Sequence, residues 1–400
     1  MKLDRLKQRA RRITDRVLLP YFETQRYELA RLRVGLDRVA SASVETAVPG
    51  PPGAFVTVDL PIQLLDFNSL LHELRTVELG RMVRAERVLL SVGCSDRSYF
   101  DWIEGAYGHV PEHWGVELYR PRPDELPDNV RWFEASASHM PDVADGSVDV
   151  MFSGQNFEHL QADDLVGFLL EARRVLRIGG HVVIDSPNRL ATHALHWRHP
   201  EHVVETSPDE AAEVLRLAGF EVTSCRGQWL CIDGDGVLLP LMPEPGDVAE
   251  VLRRAVLATS APERSFCWWI EAKRSELPPP ADANQLRTHV SALIDSLWDD
   301  RVSRGAWRAT PGTTGLVYRA GPFPVFVGSV VASTDAASAG AAGSQLTVRL
   351  VADDGAVLAS GYASVELTTA QTLFGVWVEL HTSAPLVGTL TEHPVRISPR

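Results

Sequence analysis

Between Val88 and Arg274 the chain alternates short aliphatic runs with helix-like stretches, and this alternation constrains the fold more than any other feature. VLLSV (88–92), VDVMFS (148–153) and HVVIDS (181–186) have strand length and strand composition, and FCWWIEAKR (266–274) closes the series. Helical stretches such as DDLVGFLLEARRVL (163–176) lie between them. Strands that take turns with helices predict an α/β domain built on a mostly parallel sheet.

The flanks read differently. A single helix-like stretch, LLDFNSLLHELRTVELGRMVR, occupies 64–84. SASVETAVPGPPGA (41–54) and LPPPADANQ (277–285) read as linkers, because Pro and Gly do not continue a helix. A further helix is expected over 285–301, with Val290, Leu293, Ile294 and Leu297 on one face. Beyond residue 306 the texture is all-β. GLVYRA, FPVFVGSVVAS, QLTVRLVAD, AVLASGYASVEL and FGVWVEL are short runs parted by Gly, Pro, Asp and Ser, which predict a small C-terminal sandwich-like domain. The expected division is 1–54 as a basic helical segment and linker, 55–276 as the α/β domain, 277–304 as linker and helix, and 305–400 as the β-domain.

Charge divides the chain further. The net charge is -13 over 400 residues, yet the first 40 hold 11 Lys/Arg against 5 Asp/Glu. The remainder is therefore strongly acidic, which excludes general nucleic-acid binding. Within the basic segment Leu29, Leu32, Leu36 and Val39 recur at helical spacing. That stripe points to an oligomerising or docking helix, with a helix resting on an anionic membrane surface as the second reading. No apolar run reaches the length of a membrane span, and no apolar stretch of the signal-peptide kind follows MKLDRLKQRARR. Cys94, Cys225, Cys231 and Cys267 form no CxxC pair, which fits a reducing compartment. The expected location is cytoplasmic, and the expected assembly is a homo-oligomer.

The order of pieces along the α/β region carries a resemblance. They are RVLLSVGCSDRSYF (87–100), WGVELYRP (114–121), NVRWFEASASHMPDVADGSVDVMFS (129–153), GQNFEHLQADD (154–164), LRIGGHVVIDSPNR (176–189) and HPEHVVETSPDEAAEVLRLAGFEV (199–222). Together, over about 88–275, they resemble the class I (Rossmann-like) S-adenosylmethionine-dependent methyltransferases of the sugar and small-molecule O-methyltransferase type. The resemblance implies S-adenosyl-L-methionine as cofactor. Gly93 would let the backbone pass close to it, where a Cβ would obstruct. Glu117 lies 24 residues beyond Gly93, and a carboxylate ending the second strand suits a ribose diol. The resemblance adds Cys94, Ser95 and Asp96 in the first loop, Leu118 beside the adenine, Ser136 and Ala137 at the adenine edge, and Ser153 and Gln155 at the end of the fourth strand. Ser91 stands where the family has an acidic residue, and Ser95 and Arg97 stand where it has glycines. These departures keep open an alternative: a scaffold or glycan-binding protein that has lost cofactor and catalysis.

Methyl transfer to an oxygen needs alignment, exclusion of water and removal of a proton. His159 is the candidate base, since a neutral imidazole suits that task near neutral pH, and Glu158 is its candidate partner. The competing reading has the pair capping helix 162–176 or closing a buried hydrogen-bond network. His193, His196, His199 and His202 fall within ten residues, with Glu201 and Glu205 close by. No HExxH spacing accompanies them, so no metal is expected and the loop is read as the acceptor rim. Trp197 and Trp229 would stack on a sugar there or else belong to the core. In the β-domain Trp307, Tyr318, Phe323, Phe326 and Trp377 are read as packing first and as a glycan platform second. The function expected is O-methylation of a sugar, glycan or glycosylated metabolite. A protein-interaction factor working through the N-terminal helix is the remaining reading.

Overall fold

The computed structural model describes residues 67–399 apart from 198, 200, 201, 204, 304, 305, 326, 327, 338 and 392. The basic helix over 1–40, the linker 41–54, Glu201 and Phe326 thus lie outside the described residues.

Seven strands form the central sheet: β1 (Val88–Val92), β2 (Glu112–Glu117), β3 (Val130–Glu134), β4 (Val148–Gly154), β5 (Leu176–Pro187), β6 (Phe220–Leu230) and β7 (Ser265–Arg274). Their order is β3-β2-β1-β4-β5-β7-β6. The neighbours from β3 to β5 pair in parallel, and β7 runs antiparallel to both β5 and β6. Every residue of β1 is buried, as expected of a central strand with both faces covered.

The helices among the described residues are α1 (Phe67–Arg81), α2 (Arg97–Tyr107), α3 (Ala162–Val175), α4 (Arg189–Ala194), α5 (Pro208–Leu217), α6 (Val248–Ala258) and α7 (Ala283–Ser303). One core joins Leu165, Phe168 and Leu169 of α3, Val214 of α5, and Val290 and Ile294 of α7 to Leu90, Val92, Ile184 and Trp268 of the sheet. On the opposite face, Leu79 of α1 and Ile103 of α2 cover Leu89, Val150, Val183 and Trp269. Trp268 and Trp269 therefore serve opposite cores, because successive strand residues point to opposite sides. At the amino end of β4, Asp149 accepts from the backbone N–H groups of Arg87 and Val88 at 2.7 and 2.8 Å and from Arg177 Nε at 2.6 Å. α5 opens with a capping box: Ser207 and Glu210 exchange hydrogen bonds around Pro208.

The strand expected over 181–186 is longer than its apolar run. β5 already pairs at Leu176 with Val148, then shifts register and resumes at His181. The Arg177–Gly180 stretch carries no strand signature of its own.

The C-terminal residues form two antiparallel sheets, β13-β10-β15 and β12-β11-β14-β9-β8. Their strands are β8 (Trp307–Arg308), β9 (Gly315–Val325), β10 (Gly328–Ser333), β11 (Leu346–Val351), β12 (Val357–Tyr362), β13 (Ser364–Thr369), β14 (Leu373–Thr382) and β15 (Arg396–Pro399). Val330, Val365 and Ile397 of the first sheet share one core with Val348, Leu350 and Val378 of the second. Trp298 of α7 belongs to this core and meets Phe323 edge-on at 6.3 Å, whereas its neighbour Leu297 belongs to the α/β core. Tyr318 and Phe323 are buried packing residues. Trp307 is half exposed, and Trp377 lies beneath Arg319 with its Nε1 donating to Asp353. No helix among the described residues is long and apolar enough to cross a membrane.

Candidate functional site

The carboxyl ends of β1, β2, β4 and β5 meet in one region, the place where open α/β sheets take ligands. After β1 the chain turns sharply. Gly93 has φ +70° and Ser95 has φ +47°, so a serine holds a left-handed conformation that glycine adopts without cost. A Cβ on Gly93 would meet Asn156 Oδ1 at 3.7 Å, an ordinary van der Waals contact, so the positive φ rather than the crowding expected from the sequence favours glycine here. Cys94 is buried with its Sγ 3.6 Å from the Val116 carbonyl, leaving only its backbone at the turn. Asp96 caps α2, accepting from Ser98 N and Oγ at 2.8 and 2.6 Å. Ser91 is fully buried and bonds His113 Nε2 at 2.8 Å.

Glu117 ends β2 as the sequence spacing requires. Its Oε2 accepts from Ser95 N at 3.1 Å, and its Oε1 accepts from Tyr119 N and Arg120 N at 2.8 and 3.2 Å. Three backbone donors fix the carboxylate, and Oε2, holding one of them, keeps a further acceptor position. Leu118 beside it is exposed. Ser136 and Ala137 follow β3 and are half-buried; Ser136 Oγ bonds Ser138 Oγ at 2.8 Å.

Ser153 and Gln155 are less open than the resemblance implies. Ser153 is fully buried, with its Oγ accepting from Asn156 Nδ2 at 3.3 Å. Gln155, with φ +51°, donates through Nε2 to Asp185 Oδ2 at 2.8 Å. Sequence reasoning did not single out Asp185 or its ion-pair partner, Arg75 of α1. Arg75 Nε donates to Asp185 Oδ2 at 2.8 Å, and the guanidinium also lies over Trp102. Gly154 permits this approach, since a Cβ there would stand 2.4 Å from Arg75 Nη2.

The third group gathers around the turn Phe157–His159. Glu158 is fully buried, with Oε2 accepting from Ser186 Oγ at 2.9 Å. Burial pushes its carboxyl up to about 8, opposed by the backbone and Ser186 hydrogen bonds and assisted by the Asp185 and Glu205 charges. Its Oε1 is buried with no hydrogen-bond partner among the described residues and lies 4.0 Å from His202 Nε2. His202 Nδ1 bonds Glu205 Oε1 at 2.8 Å, and Thr192 Oγ1 donates to the other oxygen of Glu205. Burial pushes His202 down to about 4 despite Glu205. The His159 ring stands edge-on to His202 at 4.9 Å, and His199 stacks on His202 at 4.4 Å. Trp197 in turn stacks against His199 at 6.0 Å. His193 sits in α4 and His196 in the turn after it, outside this ring stack. Trp229 is fully buried, donating to the Leu241 carbonyl at 2.8 Å under Arg254, so it packs the interior. Of the two tryptophans read as sugar-stacking, Trp197 alone is near the histidines.

A seven-stranded sheet in this order, with only β7 reversed and a carboxylate closing β2, is the class I S-adenosylmethionine-dependent methyltransferase fold. S-adenosylmethionine is the cofactor of that class. Residues 90–184 match the family model described as "Methyltransferase domain". Over 87 residues, 21% of this chain, the sequence is 39% identical to a protein of Mycolicibacterium smegmatis described as a probable S-adenosylmethionine-dependent methyltransferase. The match spans 33% of that relative's length. Among solved structures, the chain is similar to a SAM-dependent methyltransferase from Archaeoglobus fulgidus, at 18% identity and TM-score 0.35, covering 50% of this chain and 94% of that one. It is also similar to the phosphoethanolamine N-methyltransferase 1 of Haemonchus contortus, at 15% identity and TM-score 0.37, covering 60% of this chain and 53% of that one.

Proposed function

We propose that the protein is an S-adenosylmethionine-dependent methyltransferase that methylates a hydroxyl oxygen of a sugar, glycan or glycosylated metabolite. The observation that carries the reading is Glu117, held at the end of β2 by three backbone N–H groups beside the Gly93 turn, with an acceptor position left on Oε2. Glu117 would take the ribose diol, the backbone of Gly93–Asp96 would line the cofactor's path, and Leu118, Ser136 and Ala137 would flank the adenine. S-adenosylmethionine, when bound, supplies a methyl group activated by a positive sulfur. The chain's own residues then align the acceptor, exclude water and take up a proton.

Oxygen as the methylated atom is favoured by the polar cluster at the end of β4. An acceptor hydroxyl must lose its proton, and Glu158, His159 and His202 bring a carboxylate and two imidazoles within 4.8 Å of one another at the turn after β4. Trp197 and His199 form a flat rim suited to a sugar face. Self-association through the basic first 40 residues, peripheral membrane contact by the same segment and a cytoplasmic location belong to this reading.

The test is calorimetric titration of the full chain with S-adenosylmethionine and S-adenosylhomocysteine, followed by transfer of labelled methyl to a panel of nucleotide sugars and glycosides. Micromolar cofactor binding is expected. Absence of binding at millimolar cofactor would overturn the reading and leave a scaffold without catalysis.

A further inference from the structure

We propose that Glu158, His159 and His202 bind a divalent first-row transition metal of the zinc type, facing the acceptor side of the cleft. A carboxylate oxygen and two imidazole nitrogens of these residues lie within 4.8 Å of one another. Tetrahedral zinc with bonds of about 2 Å sets its ligands roughly 3.4 Å apart, so side-chain rotations that close the gap by about an ångström complete the triad. Two imidazoles and one carboxylate suit zinc, cobalt or iron(II) and disfavour magnesium, which prefers oxygen ligands.

Three further observations point to an ion. The first is Glu158 Oε1, which is buried, has no hydrogen-bond partner among the described residues and lies 4.0 Å from His202 Nε2. Buried carboxylates are ordinarily paired or coordinate a metal. The second is the backing of His202. A carboxylate only accepts, so the 2.8 Å contact from His202 Nδ1 to Glu205 Oε1 places the proton on Nδ1, while Nε2 stands 4.0 Å from Glu158 Oε1. That carboxylate–histidine arrangement orients and strengthens imidazole ligands in metal sites, and Thr192 anchors Glu205 from its other oxygen. The third is the burial pattern: Glu158 and His202 are buried, whereas His159 is half exposed. Two enclosed ligands and one at the rim leave a coordination position open to the cleft, as catalytic rather than structural sites do.

For catalysis the inference rests on the methyl-transfer reading: an acceptor hydroxyl bound to the ion would lose its proton more readily. Metal binding itself stands apart from that reading and is tested without cofactor. The full chain, free of any affinity tag and stripped by chelator, is titrated with Co²⁺ and then Zn²⁺. One equivalent of Co²⁺ giving visible d–d absorption, displaced by one equivalent of Zn²⁺, is expected. His202→Ala should weaken binding at least 100-fold, and Glu205→Gln should weaken it 10- to 100-fold. Should His202→Ala lose its circular-dichroism signature, Glu158→Gln and His159→Asn carry the comparison. Absence of Co²⁺ absorption in the wild type, or equal binding by folded variants, overturns the site. A folded protein that binds cobalt but not S-adenosylmethionine would fail the methyl-transfer reading alone.

Discussion

The backbone N–H of Ser95 donates to Oε2 of Glu117 at 3.1 Å, tying the turn after β1 to the last residue of β2. The two residues are 22 positions apart. Their bond joins the two parts of the proposed cofactor site, so the turn and the carboxylate hold each other in place.

Glu117→Ala removes the acceptor for three backbone donors and for the ribose alike. Calorimetry should show the affinity for S-adenosylhomocysteine reduced about 30-fold, or about 2 kcal/mol. Retained affinity in a folded variant would remove Glu117 from the site.

Ser95→Gly should stabilise the protein. A side chain at φ +47° carries strain of about 1 kcal/mol that glycine lacks, partly offset by glycine's greater freedom in the unfolded chain. A gain of about 0.5 kcal/mol in chemical denaturation is expected, with cofactor binding intact. A loss of stability would show that the serine hydroxyl makes a contribution of its own.

Arg75→Met leaves Asp185 fully buried with Gln155 as its remaining charge-stabilising side chain. Removing one partner of a buried ion pair costs about 3–5 kcal/mol. The urea midpoint should fall accordingly, and the double variant with Asp185→Asn should recover part of the loss. An unchanged midpoint in Arg75→Met would show that the pair is not structural.

His113 gives stability a pH dependence. Burial pushes it down to about 4, slightly opposed by Glu104, whereas in the unfolded chain it titrates near 6.5. Between these values the unfolded state binds the extra proton, so stability is full above pH 6.5 and falls as pH drops toward 4. The contribution is on the order of 3 kcal/mol, and His72, lowered to about 4 by burial and by Arg75, acts in the same direction. Denaturation curves from pH 7.5 to 4 should show the decline, and His113→Gln should flatten it; an equal slope in the variant would assign the decline elsewhere.

The strands were legible because their apolar runs are short and bounded, and Glu117 because its distance from Gly93 is set by one strand–helix–strand unit. Ser95 illustrates a limit. In sequence it reads as a lost glycine, yet the backbone takes the left-handed turn regardless. The pairing of Arg75 with Asp185 spans 110 positions, and that of Glu158 with His202 joins the end of β4 to a loop beyond α4. Such contacts arise from the crossing of segments that have no mutual periodicity, and a search for HExxH-type helical spacing cannot register them. Trp229 and Trp197 were indistinguishable by type; which one faces the histidines depends on the end of β6 turning inward at φ +66°.

α7 spends Ile294 and Leu297 on one core and Trp298 on the next, so the two hydrophobic interiors meet along a single helix. A cut at the Pro-rich stretch before it would strip the sheet of one of its own covering layers, baring the groove where Leu286, Val290 and Ile294 now sit. The smallest soluble piece containing the methyltransferase fold is therefore set by the far end of α7, and a fragment stopped at residue 276 is expected to aggregate. In this chain the joint between modules is itself part of the interior, and exchanging one module for another would require rebuilding both sides of one helix.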